Sequence, residues 1–150
     1  MQHTYNDGGR KAAGYKGKAG DCVTRAIAIA TQQPYEQVRQ GLMAQTRHWI
    51  DTSRSRAAKR QAQDGATVSK GVFREVYDAY LKSLGWVWVA TMRVGSGCQV
   101  HLRASELPAG RIICRLSKHI CAVVEHVVHD TYDPSRAGTR CVYGYYYKPA

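Results

Sequence analysis

Cys22, His119 and an aspartate at position 130 or 133 are the residues whose types could do covalent chemistry together. A cysteine attacks a carbonyl as its thiolate, a histidine can take the thiol proton, and a carboxylate can hold the imidazole ring. Cys22 stands in "GDCVTRAIAIAT", where alanine and isoleucine recur at helical spacing after Asp21. A helix N-terminus carries unpaired N–H groups and partial positive charge, and both favour a thiolate. The same N–H groups could receive a developing oxyanion. Asp21 opposes the thiolate unless it caps the helix or points away. Each residue also has a plainer reading: a small core cysteine, a strand-entry histidine bonded to backbone, and an Asp133-Pro134 turn. The combination in chain order argues for chemistry.

The histidine and the aspartates lie in "SKHICAVVEHVVHDTYDPS". With Glu125 and His126 as a two-residue turn, Val124 faces Val127, and Cys121 faces Asp130. Cross-strand partners share a sheet face, so Asp130 falls on the face of His119, one diagonal step away. Asp133 has the opposite parity unless the strand ends or bulges after Thr131. Asp130 is therefore the first choice to orient the ring, and Asp133 the alternative. His126 and His129 fall at the turn or on the other face and read as surface residues.

These groups need elements to position them. Helices are expected from Asp21 or Cys22 to about Thr31, from Pro34 through "YEQVRQGLMAQTRHWI", and through "KGVFREVYDAYLKSLGW", with Gly85 as a stop. Ala26, Ile27 and Ala30 mark the apolar face of the first. Tyr35, Val38 and Leu42, with Gln45 or Trp49, mark that of the second. After residue 85 the period shortens: "WVWVATM", "RIICRLS", "HICAVVE", "VVHDTYD" and "CVYGYYY" read as strands, and "SELPAG" as a short helical turn. Helices first and an antiparallel sheet second is an α+β layout. Residues 1–19 read as a flexible basic arm, and 51–69 as an exposed basic loop with some helix. The 150 residues suit a single domain.

The 22 basic and 11 acidic residues leave a net charge of +11, a surface for phosphates or acidic partners. No apolar run has transmembrane length, and the N-terminus lacks a signal-type apolar segment, so a cytoplasmic protein is expected. Five cysteines, an odd number without a C-x-x-C pair, fit a reducing compartment. Cys114, Cys121 and Cys141 read as buried apolar residues.

"DCVTRAIAIAT" followed by "KHICAVVEHVVHDTYDPS" resembles the papain-like cysteine peptidase superfamily, especially its compact bacterial members that process double-glycine leaders. Over the whole chain, "GWVWVATM", "VHLRASELPAGR" and "DTYDPSRAGTRCVYGYY" also resemble small proteobacterial and phage proteins. The resemblance implies a papain-like α+β fold and a cysteine-dependent peptidase or amidase without cofactor. It implies Cys22 as nucleophile, His119 as base and Asp130 or Asp133 as orienter. The leader-processing enzymes use the aspartate of the Asp-Pro dipeptide, here Asp133. Where the superfamily carries an oxyanion-hole glutamine, this chain has Lys16, with Lys18 nearby. Backbone N–H groups, Asn6 or a lysine are the remaining donors. The substrate expected is a protein or peptide, acidic if the surface charge selects it.

A second class of reading is a non-catalytic basic binding protein, including a phage-type inhibitor on the same fold. Arg54, Arg56, Lys59 and Arg60, flanked by Arg47 and Lys70 and joined by Lys11, Lys16 and Lys18 of the arm, could contact nucleic-acid phosphates. No helix-turn-helix, zinc-finger or RNP pattern supports specific reading. His119 with Cys121, or His126 with His129, lacks the paired spacing of a structural zinc site.

Overall fold

The computed structural model describes residues 1–17 and 20–150. Among them, helices α1 (Cys22–Thr31), α2 (Tyr35–Thr52), α3 (Arg56–Asp64) and α4 (Arg74–Ser83) precede most of the strands. The strands are β1 (His3–Tyr5), β2 (Val87–Ala90), β3 (Val100–His101), β4 (Arg111–Leu116), β5 (His119–Val124), β6 (Val127–Asp130), β7 (Cys141–Val142) and β8 (Gly144–Tyr147). A 3₁₀ turn at Ala104–Glu106 occupies the "SELPAG" segment. The α+β class follows, with one six-stranded sheet in the order β1-β6-β5-β4-β8-β2 and a small β3-β7 pair.

Three expectations change. The sheet is mixed rather than antiparallel, because β1 pairs parallel to β6. The N-terminal segment is consequently no loose arm: its strand sits on the edge of the main sheet, placing Tyr5 beside Asp130. Lys18, assigned to that arm, lies outside the described residues. Within 51–69, the nine residues of α3 form a full helix, capped by the Ser55 hydroxyl, which accepts from the Ala58 N–H at 3.1 Å. The third change is a Cys98–Cys141 disulfide. Cys141 is therefore no isolated apolar thiol. The β3-β7 pairing sets His101 opposite Cys141, which brings two cysteines distant in sequence together. No helix of the described residues is long and apolar enough to cross a membrane.

Helix α1 is buried along its whole length from Val23 to Ala30, not on one face. A helix apolar nearly all round belongs inside a core. It packs on β5, β4 and β6 on one side and on α2 on the other. The alternation of β5 supplies the other half of that contact: Ile120 and Ala122 join the α1 core, while Cys121 and Val123 join a second core with Leu102, Leu116 and Val128. Gly85, with φ +87°, follows the Leu84 cap of α4 and turns the chain into β2.

The β2-β8 pairing sets Ala90 against Gly144, beside the Trp88 ring, which packs on Tyr146 with centroids 4.8 Å apart. A Cβ at Gly144 would overlap the Trp88 indole and stand 2.7 Å from the Val89 carbonyl oxygen. Gly144→Ala is expected to destabilise the fold by about 2–3 kcal/mol or more, because a backbone oxygen cannot step aside. A urea titration followed by tryptophan fluorescence measures it; an unchanged midpoint would contradict this packing.

Candidate functional site

Cys22 is the first residue of α1, His119 the first of β5 and Asp130 the last of β6. Antiparallel pairing of β5 with β6 brings the start of one to the end of the other, and α1 lies across both. Val124 faces Val127 and Ala122 faces His129, the register expected from a Glu125-His126 turn. Both turn residues have positive φ, 47° and 66°, as a two-residue hairpin of the primed type requires. His119 donates from Nε2 to Asp130 Oδ2 at 2.7 Å. Cys22 lies near enough to the ring to be among the groups that raise its pKa.

Asp133 sits apart from this group. Its Oδ1 accepts the Ser135 N–H at 2.9 Å, so it builds the turn before Pro134. Asn6 is also engaged elsewhere: its side-chain N–H donates to His129 Nδ1 at 3.2 Å, and its Oδ1 accepts from the Gly8 N–H at 2.9 Å. His129 is accordingly half-buried against the N-terminal segment and not a free surface residue. Its pKa is lowered by burial and by its neighbours Arg111 and His3. Lys16 lines a cleft of about 860 Å³ that Arg10, Asp21, Arg25 and Tyr132 also line. Tyr132 connects cleft and pair, since its ring centroid is 5.3 Å from that of His119. Asp21's side chain makes no cap bond to α1, so it does not occupy the first-turn N–H groups beside Cys22.

Sequence reasoning missed the cations that hold the carboxylates. Arg25 is ion-paired to Asp21 through Nη1 and lies 3.5 Å from Asp130 Oδ1 through Nη2. Asp21 is 1 % exposed and also accepts from Arg10 Nη1 at 3.1 Å and from the Tyr35 hydroxyl at 2.7 Å. Burial and then the bond to Asp21 push the Tyr35 phenol up to about 12, so it remains a donor. Asp21 is thus paired with two guanidinium groups. Arg25 was legible in principle, being one helical turn after Asp21. Nothing in the spacing marked Arg10. His3 was likewise missed: its Nε2 donates to the Asp130 carbonyl at 2.9 Å, and the Asn6 N–H donates to the same oxygen at 3.0 Å.

The His119 pKa results from opposing causes. Burial lowers it, but the Asp130 hydrogen bond and the neighbouring Cys22 outweigh burial and raise it to about 9. Cys114 and Cys121 are inert by contrast; burial pushes Cys114 up to about 12 and Cys121 well above the usual thiol range. Cys22 is the partly exposed free cysteine among the described residues. Among them, no group of three or more His, Cys, Asp or Glu residues is arranged to hold a metal ion. Comparison of the chain with family models, curated proteins and solved structures finds no match.

A histidine whose folded pKa exceeds its unfolded value stabilises the fold fully below the unfolded pKa, about 6.5. That contribution is lost as pH rises through the folded pKa. The His119 contribution should therefore fade between pH ~6.5 and about 9. Urea midpoints across this range check it, with His119→Gln flattening the slope. NMR titration of the ring should give a value near 9 that drops toward 6.5 in Asp130→Asn and stays put in Asp133→Asn. The reverse order would overturn the assignment of Asp130.

Proposed function

We propose that the chain is a cysteine-dependent hydrolase, a peptidase or amidase of papain-like type working through an acyl-thioester. The observation that carries this reading is the His119–Asp130 hydrogen bond with Cys22 beside the ring, whose pKa is raised to about 9. A raised imidazole pKa favours the thiolate–imidazolium pair that attacks without a separate deprotonation step. In the proposed reaction the Cys22 sulfur adds to the carbonyl carbon, and N–H groups at the start of α1 receive the oxyanion. His119 gives its proton to the leaving amine as the C–N bond breaks. Water then attacks the thioester with His119 as base, releasing the acid and restoring the thiol. Asp130 keeps the ring oriented and stabilises its charged form. Lys16, on the cleft wall, is the side chain at the position where the resembled superfamily carries its oxyanion glutamine.

The cleft of about 860 Å³ that Tyr132 lines, next to the His119 ring, has room for part of a peptide substrate. A cytoplasmic location stays part of the proposal only with the Cys98–Cys141 bond reduced, since reducing compartments oppose disulfides.

Because Cys114 and Cys121 are buried and Cys98 is bonded to Cys141, selective labelling of Cys22 alone proves little. The rate decides. Iodoacetamide should modify Cys22 at least tenfold faster than it modifies a thiol of the unfolded chain near pH 6, where ordinary thiols are protonated. His119→Ala should abolish that advantage. Cys22→Ala should remove turnover of a peptide or amide library with little loss of stability. A Cys22 rate equal to that of the unfolded chain, indifferent to His119, would sink the proposal.

A further inference from the structure

The segment 47–70 carries Arg47, Arg54, Arg56, Lys59, Arg60 and Lys70 against Asp51 and Asp64, six cations to two anions. All six cations are exposed. The ion pairs of the described residues involve other cations. Helix α3 turns this charge into a surface. Ala58 and Gln61 are buried on its inner side, and Arg56, Lys59 and Arg60, spaced three and four apart, share the outer one. Beside it a groove of about 350 Å³ is lined by Arg60, Lys70, Phe73 and Asp64. Phe73 is 37 % exposed and packs at a tilt against Trp49, with ring centroids 5.0 Å apart and planes 39° from parallel.

We infer that this face binds single-stranded nucleic acid. Cations tracking a backbone beside an exposed, rigidly backed aromatic ring are the chemistry of sequence-tolerant strand binding: phosphates meet the cations and a base stacks on the ring. An acidic peptide would satisfy the charges but has no use for an aromatic platform. A duplex would satisfy the charges and keep its bases inside the stack. The face is also continuous with the Cys22 helix. A Cβ at Gly20 would meet the Lys70 carbonyl carbon at 3.4 Å and the Ser69 oxygen at 3.5 Å, so the Lys70 strap lies against the start of α1. The binding itself does not depend on the hydrolase reading.

Fluorescence anisotropy with labelled dT15 and U15 oligonucleotides on the full chain tests the inference. Affinity should fall roughly 100- to 300-fold between 50 and 200 mM salt if five or six phosphates are contacted, at ~0.7 per phosphate in the logarithmic slope. The triple variant Arg56→Glu, Lys59→Glu, Arg60→Glu, all exposed positions, should weaken binding at least about tenfold and flatten the slope. Phe73→Ala should weaken it at least about fivefold. Phe73→Trp should keep affinity and show indole quenching on binding, which reads stacking even if the alanine variant folds poorly. Equal affinity for a 15-residue polyglutamate, or for a duplex without quenching of Phe73→Trp, would overturn the inference.

Discussion

The Arg25 guanidinium between Asp21 and Asp130 is the contact on which the rest of the site depends. All three groups are largely out of water. A charge taken from water is costly unless it is paired and hydrogen-bonded, and removing one partner leaves the others uncompensated. Arg25 sits on α1 and Asp130 on β6, so their attraction ties the helix that carries Cys22 to the hairpin that carries His119. Arg25 approaches Asp130 Oδ1 and leaves Oδ2 to the imidazole. Arg10 and Tyr35 complete the same network on the other side of Asp21. The charge of the aspartate that precedes the cysteine is thus taken up by other side chains.

The N-terminal segment serves this network. β1 lies parallel to β6, His3 and Asn6 bond the Asp130 carbonyl, and Arg10 reaches Asp21. A composition rich in glycine, lysine and tyrosine conceals this, because a three-residue edge strand has too little periodicity to be seen. Its partner residues are also more than a hundred positions away. Local pattern cannot carry information about a parallel pairing at that distance.

The two proposed activities occupy different physical settings. Around Cys22, buried charges are matched almost one for one, which gives fixed geometry and a shifted pKa. On α3 and the Lys70 strap, exposed cations outnumber the acids and join no ion pair among the described residues, which gives long-range attraction and salt sensitivity. The strap against Gly20 joins the settings, so a strand held on one would lie close to the helix start of the other.

Much of the architecture was legible in the chain. The start of α1 at Cys22, the stop at Gly85 and the strands after residue 85 follow from periods and turn residues. The choice of Asp130 over Asp133 followed from counting around a two-residue turn, since side chains alternate strictly in a strand. These are short-range relations, and sequence carries them directly. Tertiary structure alone decided the parallel β1, the Cys98–Cys141 bond and the role of Arg10. The same holds for the placing of Arg25 between two carboxylates and the meeting of Cys22 with His119. Each joins residues on separate elements, and only the packing of α1 across β5 and β6 sets those distances.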